Sequence, residues 1–379
     1  MAFPLTLDLF CRVVDNYGDI GVCWRLARQL AAEHGVAVRL WVDDLASFRR
    51  LCAAVDVAAE EQHLQGVTVR RWHEAAGEQE VADAVIEAFG CELPAGYLAA
   101  MAARPTAPVW INLEYLSAED WVVGCHGLPS PHPQLPLTKY FFFPGFGAGT
   151  GGLLHEAGLE ARQAALAAEP AQQVAFLAGL GVHPTPGDCL MSLFCYPDAP
   201  VAGLLDALCD DARSSLVLVP EGVAVKALAG WAGRALAPRD RIHRGNLTLQ
   251  GVPFLDQDDY DRLLWCCDLN FVRGEDSMVR AQWAQKPFVW HIYPQQGDVH
   301  RIKLDAFLAH FLHGLAPDAA DACRTTWHAW NGDGDLRASW PAFRDALPAL
   351  HAHMPGWCGR LPGQGDLAGN LLAFIRRVR

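Results

Sequence analysis

The sequence is poor in positive charge and contains no long apolar run. Its 379 residues include 30 Lys and Arg against 43 Asp and Glu, a formal net charge of −13. That excess of negative charge opposes nonspecific binding to nucleic acid or to anionic membranes. No apolar run reaches transmembrane length, and the opening stretch includes Asp8 and lacks the basic region of a signal peptide. We therefore predict a cytoplasmic protein with soluble partners, and neither nucleic acid nor a membrane among them.

The chain also lacks the motifs of disulfide-bonded, metal-binding and phosphate-loop proteins. Its 12 cysteines stand mostly in apolar stretches without a CxxC pair, a pattern typical of reduced cytoplasmic thiols. No HExxH, GxSxG, GxxxxGKS/T or EF-hand sequence occurs, and the histidines have no metal-ligand spacing. We therefore predict no metal and no cofactor. Residues 147–152 match GxGxxG formally but come late in the first domain, and we interpret them as a glycine-rich loop.

What the sequence does contain is a repeated alternation of strand-like and helix-like segments. The first series covers residues 5–146 and the second covers 189–292. Alternation of this kind predicts parallel sheets with helices on both faces. The predicted fold class is therefore α/β, with two doubly wound, Rossmann-like domains facing an interdomain cleft.

Two domains also follow from length, because single cores stop growing before a chain reaches this size. The best candidate linker is 181–187, where two prolines and flanking glycines cannot continue a helix. We accordingly predict an N-terminal domain over 1–182 and a C-terminal domain over 188–364. The amphipathic C-terminal helix at 365–379 is then available to complete the N-terminal domain.

Two carboxylates stand in the turn between the first strand and the first helix. The apolar run at 5–14 suits a buried strand and Gly18–His34 suits a helix, so Asp15 and Asp19 lie at the carboxyl end of the strand. Ligands of open α/β sheets bind at that edge. Turn residues such as Asn16 are often purely structural, and capping remains the alternative for one of the acids. Capping needs only one carboxylate, so the pair also indicates a functional site.

The second domain has a strand-to-helix turn of its own. Arg273 and Ser277 offer donors suited to a diphosphate, and the helix N-terminus adds free N–H groups. Glu275 and Asp276 complicate this interpretation. Acids in the first turn of a helix are routine partners of the helix dipole, and the arginine could simply pair with them. Both interpretations stay open from the residues alone.

Two further groups suit a nucleotide ligand. Phe254 and Gln257, at a strand end, could offer a ring and an amide to a nucleobase. Ser192, Phe194 and Tyr196 occupy alternate positions of the second domain's first strand and would share one face.

Four segments together resemble one family, the bacterial protein-arginine rhamnosyltransferases called EarP. The similar segments are Asp15–Ala27, Trp110–Glu119, Lys139–Phe146 and Asn270–Ser277. The resemblance spans almost the whole chain. It implies a two-Rossmann GT-B fold and an inverting, metal-independent transfer of rhamnose from TDP-β-L-rhamnose. The implied acceptor is one arginine at a loop tip in the folded N-terminal domain of translation elongation factor P, whose modification serves the rescue of stalled ribosomes.

The same resemblance implies roles for individual residues. Its essential acids match Asp15, Asp19 and Glu275, and the residue types suit the chemistry because an arginine nucleophile needs carboxylates to hold it and accept its proton. The predicted donor-binding residues are Asn16, Tyr17, Gly18, Ser192, Phe194, Tyr196, Phe254, Gln257, Arg273, Gly274, Asp276 and Ser277. The predicted acceptor-binding residues are Asp15, Asp19, Glu114 and Tyr115.

Two alternatives belong to other functional classes. A nicotinamide-dependent oxidoreductase would use similar domains but should carry its glycine fingerprint at the first strand–helix turn, where this chain has two acids. A noncatalytic module that binds a nucleotide sugar or a protein would need the cleft but not the acids.

Overall fold

The fold is described from a computed structural model, which covers residues 5–15, 17–73 and 80–379, apart from the side chains at positions 296 and 364. The chain forms two compact units. The first comprises Met1–Ala157 together with Leu361–Arg379, and the second is Gly158–Arg360.

The first unit is built on a mainly parallel sheet. Its strands and helices are β1 (Thr6–Cys11), α1 (Gly18–His34), β2 (Ala37–Val42), α2 (Leu45–Leu51), β3 (Glu61–Leu64), β4 (Val67–Arg71), β5 (Ala84–Ala88), α3 (Ala95–Ala103), β6 (Val109–Leu113), α4 (Trp121–Cys125), β7 (Pro129–Pro131) and β8 (Thr138–Phe142). The order across the sheet is β3-β4-β2-β1-β5-β6-β8-β7, with antiparallel pairing only at the two edges among the described strands. The parallel strands therefore end at one common edge.

The second unit repeats the plan with a six-stranded sheet. Its strands and helices are α5 (Leu159–Ala168), α6 (Pro170–Gly179), β9 (Cys189–Leu193), α7 (Val201–Asp210), β10 (Ser215–Pro220), α8 (Val225–Ala232), β11 (Arg241–Arg244), β12 (Leu247–Val252), α9 (Gln257–Cys266), β13 (Leu269–Arg273), α10 (Asp276–Trp283), β14 (Phe288–His291), α11 (Val299–Phe311), α12 (Pro317–Trp330) and α13 (Leu336–Arg360). Its order is β11-β12-β10-β9-β13-β14. Two doubly wound parallel sheets confirm the predicted fold class.

The C-terminal helix α14 (Leu367–Val378) returns to the first unit. Its apolar face, including Leu371 and Ile375, is buried in the same core as β1 and α1. The ring of Phe374 lies 5.6 Å from that of Phe142, at the end of β8. A strongly amphipathic helix of this kind must bury its apolar stripe, and here the first sheet covers it.

The change from one unit to the other differs from the predicted domain boundary. It falls after Ala157, whereas we predicted a linker at 181–187 and an N-terminal domain reaching residue 182. The reason is that Leu177 and Val182 are buried in the core of the second sheet, next to Leu216. Prolines and glycines mark the end of a helix, but burial decides to which unit the helix belongs.

Strand ends also differ from the predictions. β1 stops at Cys11 rather than near residue 14, and Val14 is 65% exposed. β9 stops at Leu193, so Phe194 and Tyr196 lie beyond the strand instead of alternating within it. The short antiparallel edge strands β3, β7 and β11 were not predicted, because polar edge strands lack an apolar pattern. In the described part of the chain, no helix is long and apolar enough to cross a membrane.

Candidate active site

The first unit has one group of candidate residues in the turn from β1 into α1. Asp19 lies in the first turn of α1 and is almost completely buried. Its Oδ2 accepts hydrogen bonds from the backbone N–H groups of Val14 and Asp15, both at 2.8 Å. A carboxylate at this position also meets the positive end of the helix dipole. Asp19 therefore closes the turn, so the structural role that the sequence left open for one acid is real.

Burial also changes the acidity of this carboxyl group. The pKa of Asp19 is raised from its ordinary value, mainly because burial disfavours the charged form. Backbone hydrogen bonds from Asp15 and Val14 and a bond from the Tyr115 hydroxyl act in the opposite direction. The negative charge of Asp43 adds to the upward shift. The charged form of Asp19 is therefore less favoured than that of an exposed aspartate.

Asp15 differs from Asp19 in being half-buried, and it packs against the first residue of α1. The N–H of Gly18 donates to the Asp15 carbonyl at 2.6 Å. A Cβ atom placed on Gly18 would lie only 2.5 Å from Asp15 Oδ2. Glycine is thus required here by a close approach of the carboxylate, which rests directly over the start of the helix.

The new methyl group of Gly18→Ala must push the Asp15 carboxylate aside. We therefore expect this substitution to lower, by about ten-fold or more, the kcat of any reaction in which Asp15 takes part. The fold should survive, since the obstructing atom is the end of a side chain and alanine favours helix. Steady-state kinetics with a thermal melt measure both effects. Gly124→Ala in α4, where a Cβ meets nothing within 4 Å, is the matched control. Wild-type kcat in Gly18→Ala would show that the carboxylate position does not matter.

The neighbouring strand ends bring the predicted acceptor residues to these acids. The Tyr115 hydroxyl, just after β6, donates to Asp19. The Tyr115 ring stacks on Phe89, just after β5, with centroids 4.5 Å apart. Glu114 Oε1 accepts a hydrogen bond from Asn112 Nδ2 at 2.5 Å. Tyr115 is therefore joined to the acid turn directly, and Glu114 is held by its own strand.

The second unit has its own group of candidate residues around Arg273, at the end of β13. Its guanidinium lies over two aromatic rings, 4.5 Å from the Phe194 centroid and 4.8 Å from that of Tyr196. Its Nη1 donates to the Cys195 carbonyl at 3.3 Å. Aromatic faces attract and orient a guanidinium, so the three predicted side chains form one cationic cluster.

The turn that follows this cation leads from β13 into α10. Gly274 has a φ of +60°, which favours glycine. Its carbonyl accepts a bond from Trp290 Nε1 at 2.7 Å. The Ser277 hydroxyl accepts from Arg273 N at 3.0 Å and donates to the Arg273 carbonyl. Ser277 therefore fixes the Arg273 backbone, a structural role in addition to the predicted one.

Two pairs at the same edge complete the cluster. Gln257 Nε2, at the start of α9, lies 3.3 Å from Asp276 Oδ2, at the start of α10. His291 Nδ1 accepts a bond from Tyr196 N at 3.2 Å. Burial lowers the pKa of His291 to about 4, and the positive charge of Arg273 contributes. The imidazole is therefore neutral at pH 7 and adds no charge beside the arginine.

The remaining predicted donor-binding and catalytic residues lie in different parts of the two units. Ser192 is fully buried and its hydroxyl donates to Asn270 Oδ1 at 2.6 Å, so it serves the sheet rather than the Arg273 cluster. Phe254 is half-buried in the loop before α9, and Glu275 precedes α10 as its N-cap residue. Tyr17 is the half-buried N-cap of α1. The prediction for Asn16 lies outside the described residues.

Three residues of the site escaped the sequence analysis. Phe89, Asn112 and His291 all stand at or just beyond carboxyl ends of parallel strands. Strand-end position was therefore the available signal, but it does not tell which side chains turn toward the site. In the described ranges, no group of three or more His, Cys, Asp or Glu side chains could hold a metal ion.

Comparisons with known proteins define the class. The chain has the fold of the spinosyn rhamnosyltransferase SpnG, with a TM-score of 0.54, 10% identity and coverage of 97% and 99% of the two chains. At that identity the likeness concerns the fold alone. The two doubly wound units therefore define the class of fold as GT-B.

Closer matches give the family. The model of the family described as Elongation-Factor P (EF-P) rhamnosyltransferase EarP matches residues 7–376. A protein-arginine rhamnosyltransferase of Pseudomonas putida is 53% identical over 372 residues, 98% of each chain. A solved structure concerned with EarP-mediated arginine glycosylation of EF-P is 40% identical, with a TM-score of 0.71 and 99% coverage of both chains. The chain belongs to the EarP family, which decides against an oxidoreductase or a noncatalytic module.

Proposed function

We propose that this protein transfers rhamnose from TDP-β-L-rhamnose to an arginine of translation elongation factor P in the cytoplasm, with inversion and without a metal ion. The observation that carries the proposal is the acid turn, where the half-buried Asp15 stands next to the buried Asp19, whose Oδ2 accepts bonds from two backbone N–H groups. An assay of TDP release tests it. Release should require both the nucleotide sugar and the factor, and release without the factor would indicate mere hydrolysis.

Asp15 and Asp19 can make an arginine side chain a better nucleophile. A guanidinium is protonated in proteins and has no free lone pair, so it attacks poorly. Carboxylates can hold it by charge-assisted bonds and accept a proton as one nitrogen attacks the anomeric carbon. We assign the base to Asp15, which is half-buried, and the orienting role to Asp19, whose Oδ2 is occupied by two backbone N–H groups. Glu114 and Tyr115 are assigned to the guanidinium as well.

The Arg273 cluster answers the second problem, which is the negative charge on the departing diphosphate. Arg273, the Tyr196 hydroxyl and the backbone N–H groups at the start of α10 would stabilise this charge in place of a metal ion. We assign Phe254 and Gln257 to the thymine side of the donor. Glu275 would be repelled by a diphosphate, so we assign it to the sugar or to the acceptor guanidinium, whose developing positive charge it would stabilise.

We expect Arg273→Ala to raise the Kd for TDP by about 10- to 100-fold, since a hydrogen-bonded charge pair with the diphosphate is lost. The Kd for TDP of Arg273→Lys should lie between the wild-type and Arg273→Ala values, because lysine keeps the charge but not the planar fork. Titration calorimetry measures both values. Arg262→Ala, which removes an exposed arginine paired with Asp259 in α9, is the control. An unchanged Kd in Arg273→Ala would remove this residue from the donor site.

A further inference from the structure

Two helices at the candidate donor site are neighbours by topology. α9 connects β12 to β13, and α10 connects β13 to β14. Along the sheet order both connections run in the same direction. Because crossovers between parallel strands are right-handed, two that run in the same direction cover the same face of the sheet. Both helices therefore start at one edge of the sheet, side by side.

Polar contacts join the two helices at two successive turns. At their N-termini, Gln257 Nε2 meets Asp276 Oδ2 at 3.3 Å. Four residues further along each helix, Asp261 meets Arg280 through two bonds, Nε to Oδ1 at 3.0 Å and Nη2 to Oδ2 at 2.6 Å. Residues four apart lie on one face of a helix. The second contact therefore lies directly behind the first.

The inner contact is built as a rigid link. Side-chain exposure is 1% for Arg280 and 3% for Asp261, so water does not loosen the pair. Two parallel bonds between a guanidinium and a carboxylate fix orientation as well as distance. Such a buried pair contributes little net stability compared with apolar residues of similar volume, but it does constrain geometry. The role of the Asp261–Arg280 pair is therefore to be found in the residues at the N-termini of α9 and α10, whose positions the pair constrains.

We propose that Asp261 and Arg280 are positioning residues of the donor site. By fixing α9 against α10, the pair holds the start of α9, with Gln257, in one position relative to the start of α10, with Asp276. Both helix starts are assigned to one nucleotide, so a shift of one helix against the other would misplace Gln257 or Asp276 and weaken nucleotide binding. The inference rests on the proposed function, because it presumes that both helix ends contact one nucleotide.

The test replaces the pair by apolar side chains of similar size, Asp261→Leu with Arg280→Met. Such a replacement usually preserves the fold. We expect a melting temperature near that of the wild type, a Kd for TDP raised about ten-fold or more, and an increased KM for the nucleotide sugar. The KM for the protein acceptor and kcat at saturating donor should stay close to the wild-type values. A purely structural pair would not separate the two KM values in this way.

Two further variants complete the design. Asp259→Leu with Arg262→Met removes an exposed pair within α9 that bonds at 2.9 Å, and it should leave the Kd for TDP unchanged. Arg280→Lys keeps the charge but loses the parallel bonds, so it should raise the Kd for TDP to an intermediate value. If the double variant has a lowered melting temperature, the Kd of Arg280→Lys is the test of the positioning role.

Each outcome is decisive. A wild-type Kd for TDP in the folded Asp261→Leu, Arg280→Met protein, or in Arg280→Lys, overturns the positioning role alone. Failure of the wild-type protein to bind TDP overturns the proposed donor site, and the positioning role falls with it. A raised Kd with an unchanged acceptor KM supports both.

Discussion

Asp15→Ala should lower kcat by about two to four orders of magnitude at saturating donor and acceptor, the usual loss when a general base or charge stabiliser is removed. The Asp15 carboxylate is half-buried over Gly18, and we have assigned it to the acceptor guanidinium as its base. Asp15→Asn keeps the shape and removes the charge, and we expect nearly the same loss. Steady-state kinetics, with a thermal melt to establish folding, measure the effect.

Asp56→Asn is the matched control for this prediction. Asp56 is an exposed turn aspartate of the same unit that accepts a bond from Ala58 N at 2.9 Å. Near-wild-type kcat in Asp15→Ala would refute our assignment of the base. Loss of activity is also expected for Asp19→Ala and Glu275→Ala. Asp19 is the less direct test, because its removal also opens the turn that its carboxylate closes.

The second large effect concerns the acceptor. Replacing the target arginine of elongation factor P by lysine should reduce transfer by about two orders of magnitude or more. A pair of carboxylates recognises the planar, forked guanidinium, whereas the compact ammonium of lysine cannot bridge them with the same geometry. Intact-mass spectrometry of the two factors after equal incubation measures the ratio. Comparable modification of the lysine variant would show that the acids do not select the guanidinium.

The size of the acceptor should also affect the rate of transfer. Holding one nitrogen in line with the anomeric carbon requires binding energy from the rest of the partner. We therefore expect the isolated N-terminal domain of the factor to react like the whole factor, and a loop peptide or free arginine to react far more slowly. Equal rates for the peptide at equal concentration would contradict docking of a folded domain.

Local signals in the sequence predicted much of this architecture. Apolar runs and helical periods gave the α/β class, and α1 covers Gly18–His34 as predicted. The two strand–helix turns were predicted because strand ends, helix starts and turn residues are all local features. Asp15 and Asp19 therefore stand at the edge where we expected them.

Non-local contacts account for what the sequence did not reveal. The hydrogen bond between Tyr115 and Asp19 joins residues far apart in sequence, through strands that the pattern alone does not order. Burial of Ser192 beneath its neighbours has the same origin, as does the assignment of α5 and α6 to the second unit. Periodicity predicts which face of an element is apolar, but not which partner covers it.

The most direct test of the central claim is the mass of unmodified elongation factor P after incubation with this protein and TDP-β-L-rhamnose in the presence of EDTA. We predict a gain equal to one rhamnosyl residue, located on a single arginine by fragmentation. The gain should be absent with the Asp15→Ala protein. An unchanged mass with the wild-type protein, or a gain that requires added magnesium or manganese, would contradict the account.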